Sequence, residues 1–105
     1  MTKIQDYPVV DVPHGATRQV LSQNETLMVV AFNFPEGGKG DLHNHPHVQS
    51  TYVESGVFTF TVDGEDFDVA AGDSFVIPSN AVHGCVCKQA GRLIDTFTPR
   101  RDDFL

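Results

Sequence analysis

From Asp41 to Gln49 the chain reads DLHNHPHVQ, which places His43, His45, His47 and Gln49 at every second position. Side chains alternate faces along an extended strand, so these four project from one side if the stretch is extended. His83, far along the chain, is a fifth candidate and would complete the set. Imidazole nitrogens suit zinc, nickel, iron or copper and an amide oxygen adds a neutral ligand, so the constellation points to one divalent metal ion. The competing reading is a polar loop whose histidines simply face solvent. Near the C-terminus, Leu93, Asp95 and Phe97 share parity, which puts an acid among apolar neighbours on the expected interior face. Burial raises a carboxyl pKa and a nearby cation lowers it, so either balance yields a useful proton donor or acceptor. A hydrogen-bonded strand-end Asp, or one facing solvent, fits the same residues. Arg100 and Arg101 follow Pro99, and a guanidinium suits bidentate capture of a carboxylate. Arg100 reads as a solvated partner of Asp102 and Asp103, and His14, in Pro13-His14-Gly15, as exposed.

These residues need strands to hold them. Apolar residues nowhere recur at helical spacing over three turns, whereas short runs rich in Val, Phe, Thr and Tyr alternate with Gly, Pro, Asn and Asp. The expected strands are Arg18 to Ser22, Thr26 to Phe34, His47 to Glu54, Val57 to Val62, Glu65 to Ala70, Ser74 to Ile77, His83 to Cys87 and Arg92 to Thr98. Asp63-Gly64 predicts a type I′ hairpin turn, because both central residues tolerate positive φ. Glu36 to Gly40 (EGGKG) reads as a loop leading into the first histidines, and Pro78-Ser79-Asn80 as a break before His83. The segment after Pro99 is a short tail whose Phe104 and Leu105 dock or fray.

A length of 105 residues suits one domain with one core, and 40% hydrophobic with 20% charged residues is an ordinary globular balance. A net charge of −7 disfavours nucleic-acid and anionic-membrane partners, since an acidic surface gains nothing from phosphate counterion release. The first residues resemble neither a secretory signal nor an anchor, so a cytoplasmic location is expected. Cys85 and Cys87, two apart on a strand, are poorly placed to bridge each other and read as reduced packing residues.

Gly37 to Gly56 reads G(x)5HxH(x)3Q(x)6G, and Gly72 to Cys87 reads G(x)5PxN(x)2H(x)3C. Together they resemble the paired motifs of the cupin superfamily, with Asn80 for the usual Gly and Cys87 for the usual Asn. The resemblance implies an all-β fold, a single cupin β-barrel over residues 1–105, with His43, His45, Gln49 and His83 holding one divalent transition metal. His47 then falls between ligands and reads as a pocket-wall or supporting residue. Gln49 stands where many cupins have Glu, so four neutral ligands leave the full +2 charge on the ion. Such a site favours carboxylates and enolates and argues against a two-histidine, one-carboxylate iron centre. It does not choose among Zn, Ni, Mn and Fe.

The run DTFTPRRDDFL from Asp95, with HNHPHVQSTYVESG and IPSNAVHG, looks like the small pectin-degradation cupins of the KdgF type. Those convert 4,5-unsaturated monouronates into linear keto acids. By that resemblance Asp95, Phe97 and Arg101 are catalytic, the substrate is a small anionic sugar acid and no redox cofactor is needed. An iron-dependent dioxygenase and a non-catalytic sugar-acid-binding module are the alternatives. A homodimer is expected, since many small cupins pair through sheet edges or outer faces.

Overall fold

A computed structural model of the protein describes residues 3–105. Eight strands dominate it: β1 (Val9–Asp11), β2 (Thr17–Gln23), β3 (Met28–Phe34), β4 (Lys39–His43), β5 (Val48–Val62), β6 (Glu65–Ala70), β7 (Ser74–Ile77) and β8 (His83–Thr98). Two short 3-10 turns, Pro13–Gly15 and Asp102–Phe104, are the only helical segments among the described residues. The strands pair antiparallel in the order β1-β2-β3-β8-β5-β6, with β4 also on β8 and β7 also on β5. The architecture is an all-β barrel of this antiparallel kind.

The long strands β5 and β8 hold it together, paired from Val48↔Thr98 to Val62↔His83. Sequence reading divides each of them in two, at Ser55-Gly56 and over 88–91. In the structure these are bulges inside continuous strands, and the ladder shifts between Val53 and Phe58. A Cβ on Gly91 would lie 2.1 Å from the Ser55 carbonyl oxygen, and one on Gly56 would lie 2.6 Å from the Gln89 oxygen. Side chains there would force the strands apart, so the two glycines allow the bend that takes each strand from one half of the barrel to the other. The bulge also switches inward parity, from Gln49, Thr51 and Val53 before it to Phe58 and Phe60 after it.

Two short strands, β1 and β4, are absent from the expected set. β4 includes Lys39 and Gly40, which sequence reading leaves in a loop; Gly84, whose Cβ would meet the Gly40 oxygen at 2.7 Å, lets β4 lie close on β8. β3 begins at Met28 rather than Thr26 because the Asn24 side-chain oxygen accepts hydrogen bonds from the backbone N–H of Thr26 (2.9 Å) and of Leu27 (3.0 Å), holding a turn there. The hairpin turn has Asp63 at φ 47° and Gly64 at φ 82°, joining Val62 to its partner Glu65.

Inside, Phe58, Val53, Phe34 and Leu93 anchor one apolar cluster, and Phe97, Met28, Val30 and Val20 a second. Cys85 and Cys87 are free thiols buried in the first cluster.

Candidate metal centre

His43 ends β4 and His83 begins β8, and the two are paired across that ladder. Their rings lie 4.4 Å apart between centroids, and His45 brings its ring to 4.9 Å from His83 and 5.5 Å from His43. One potential ligand atom from each falls within 4.8 Å of those of the other two. Backbone carbonyls orient all three: Nδ1 donates to the Asp41 oxygen from His43 (2.8 Å), to the His47 oxygen from His45 (3.0 Å) and to the Ala81 oxygen from His83 (2.9 Å). That tautomer leaves each Nε2 as a bare acceptor.

Gln49 completes the cluster from β5. Its amide N–H donates to Thr51 Oγ1 at 3.0 Å, which turns Oε1 toward His45 Nε2 at 3.1 Å. Two acceptors with no proton between them therefore face each other, and His83 Nε2 is buried with no hydrogen-bond partner. A cation between these atoms would satisfy all of them, so the residues fit a divalent metal. Burial pushes the His83 pKa down to about 4 and also lowers that of His45, where Arg101 adds to the effect. Both rings are therefore neutral near pH 7, the state a metal ligand needs.

His47 does not project with His43, His45 and Gln49, and it lies off the cavity lining. Residues 44–47 lie outside the strands and the chain bends at Pro46 and His47, so strict alternation is lost there. The His47 ring instead donates from Nε2 to the Arg100 carbonyl at 3.1 Å, tying the histidine loop to the C-terminal segment.

The same cavity, of about 310 Å³, takes in His43, Gln49, His83, Asp95, Phe97 and Arg101. Asp95 is 5% exposed on β8, opposite Thr51, and its Oδ1 has no partner. Burial pushes its pKa up to about 7, against a smaller downward pull from Thr51 and Gln49. The Phe97 ring stands edge-on to His45 at 5.7 Å. Arg101 holds its guanidinium carbon 5.3 Å from the Phe97 ring centre while donating to both Asp103 oxygens, at 3.0 and 2.8 Å. Arg100 pairs with Asp102 at 2.8 Å, outside the cavity lining, and exposed His14 at the rim holds Asp41 at 2.9 Å.

Sequence reading gives no site role to several lining residues, Arg18 and Phe104 among them. Arg18 projects inward from β2, and Phe104 docks edge-on against Phe97 at 5.8 Å. Arg18 shares parity with buried Val20, a signal that the adjacent Leu21 obscures.

Residues 30–97 match the cupin domain family. The chain belongs to that family. This cupin is 36% identical over 100 residues to the pectin degradation protein KdgF of Dickeya dadantii (strain 3937), covering 93% of this chain and 91% of that relative. It is also similar to two solved structures. KdgF from Halomonas sp. superposes with a TM-score of 0.91 at 34% identity, covering 100% of this cupin and 99% of that chain. An RmlC-like cupin from Shewanella frigidimarina NCIMB 400 superposes with a TM-score of 0.90 at 43% identity, covering 94% and 89%. The family match contains every residue of the histidine cluster, Asp95 and Phe97, and stops short of Arg18, Arg101 and Phe104.

Proposed function

We propose that this cupin is a metal-dependent, isomerase-like enzyme that converts 4,5-unsaturated monouronates, released from pectin or alginate by lyases, into linear keto uronates. The observation that carries the reading is the placement of Asp95 and Arg101 in one cavity with His43, Gln49 and His83, to which His45 is joined in the histidine cluster. Similarity to KdgF proteins along nearly the whole chain supports the pectin side of it.

The chemistry is a redistribution of one proton with no change in oxidation state overall. The hemiacetal hydroxyl at C1 loses its proton, the bond from C1 to the ring oxygen breaks, and an aldehyde forms at C1. The ring oxygen is released on C5 as an enolate, which becomes a ketone when C4 takes up that proton. An acid with a pKa near 7 can accept the first proton and deliver the second, the role assigned to Asp95. Arg101 faces the carboxylate on C5, and Phe97 packs against the sugar face. A divalent ion held by His43, His45, Gln49 and His83 supplies a Lewis-acid charge that stabilises negative charge developing on substrate oxygens.

The test follows the ultraviolet absorbance of the conjugated double bond in an unsaturated monouronate, with and without chelator. The reading expects absorbance to fall with enzyme, to persist when chelator is present, and to fall again once metal is restored. Inertness toward unsaturated monomers from both pectin and alginate would overturn it.

A further inference from the structure

Arg18 is an inward-pointing cation in an apolar barrel. It stands opposite Phe32 in the β2–β3 ladder, on the side of buried Val20, and it lines the cavity. Water is withdrawn from it, which lowers its pKa, and Arg101 lowers it further while Asp103 opposes them. A guanidinium stays charged through such shifts. Yet Arg18 makes no ion pair and no side-chain hydrogen bond among the described residues. Arg18 is half-buried with its guanidinium at the cavity wall, so its charge is open to an anionic ligand that enters there.

Phe104 brings Arg18 and Arg101 together. Their guanidinium carbons lie 4.1 and 4.2 Å from the centre of the same ring. Arg101 uses Nε and Nη2 on Asp103, whereas the whole donor fork of Arg18 is free. Asp103 is the one carboxylate ion-paired to either of these two cations among the described residues, and a ligand carboxylate between them would relieve their mutual repulsion. A cavity of about 310 Å³ has room for a single sugar ring bearing that group.

We propose that Arg18 is a specificity-determining residue, which with Arg101 forms a two-armed clamp for the carboxylate of a monosaccharide acid. The identity of that acid as an unsaturated uronate rests on the proposed function; the clamp itself does not.

Steady-state kinetics of the metal-loaded enzyme test it with the unsaturated monouronate and its methyl ester. Arg18→Gln should raise KM for the acid by about tenfold or more while kcat stays within about threefold. Arg18→Lys should recover part of the loss, and KM for the ester should hardly change. An unaltered KM for the acid, or equal losses for acid and ester, would overturn the clamp. If wild type does not consume the monouronate, the proposed reaction fails but the clamp is still measurable. Calorimetry should then show D-galacturonate binding in preference to D-galactose, with Arg18→Gln abolishing that preference; a wild type with no preference overturns the clamp. Should Arg18→Gln not fold, nitrogen resonances of the Arg18 guanidinium in wild type, assigned with Arg18→Lys, give the answer. They should move on adding D-galacturonate and not D-galactose, and resonances that stay still sink the idea.

Discussion

Asp95 carries the heaviest chemical assignment of any single side chain. Replacing it with Asn keeps shape and removes the titrating group, so turnover should fall by roughly 10²- to 10⁴-fold, with metal content by elemental analysis unchanged. Turnover at the wild-type rate would remove Asp95 from the mechanism. The same change has a consequence for metal-free stability. Between pH 3.8 and about 7 the native protein keeps a proton on Asp95 that the unfolded chain has lost, so this group's contribution declines as pH rises. His83 acts in the opposite sense: the unfolded ring takes a proton below 6.5 but the native ring not until about 4, so its contribution is lost as pH falls through that window. In chelator, Asp95→Asn should leave the His83 slope unopposed. Its stability should climb between pH 4.5 and 6 more steeply than wild type, as His83 and His45 lose protons in the unfolded chain with no opposing acid. Urea unfolding at the two pH values checks this, and equal slopes would contradict it. Most of this cluster is legible in the sequence, since residue type marks an imidazole or an inward acid. Arg18 is not, because a lone arginine in Thr-Arg-Gln looks like any surface cation until β2 turns it inward.

The strands show why parity works in some places and fails in others. Alternation holds on β8, where Leu93, Asp95 and Phe97 are all buried as their spacing implies. It breaks at His47, where the chain leaves β geometry, and on β5, where a bulge moves the inward face from odd to even positions. Both failures are local departures from two-residue periodicity, which no periodic argument can anticipate. The bulge region also has a definite weak point. A methyl group on Gly91 would collide with the Ser55 backbone, so Gly91→Ala should destabilise the protein by about 3 kcal/mol, the upper part of the overpacking range. Chemical denaturation reads this directly, and a loss below about 0.5 kcal/mol would show that the β5–β8 crossing does not depend on close approach.

In the molecule taken together, β4, β5 and β8 meet at the histidine cluster, so an ion bound there would tie three strands into one. Binding to the native state alone stabilises by mass action, roughly 2.7 kcal/mol at a metal concentration a hundred times Kd. For a chain of this length that corresponds to about 10 to 20 °C in Tm. Thermal melts with and without zinc or nickel should show the rise, chelator should reverse it, and His83→Ala should abolish it; a wild-type Tm indifferent to every divalent transition ion would exclude a structural metal site. The strand content, the hairpin at Asp63-Gly64 and the histidine and glutamine candidates were readable from local chemistry, because propensity, turn residues and ligand types are properties of short stretches. Which strands are halves of longer ones, why His47 turns away, and how Arg18, Phe104 and Arg101 come to share one cavity depend on contacts between residues far apart in the chain. Those contacts are set by bulges, by close backbone approach at Gly56, Gly84 and Gly91, and by side-chain packing, none of which leaves a periodic trace in the sequence.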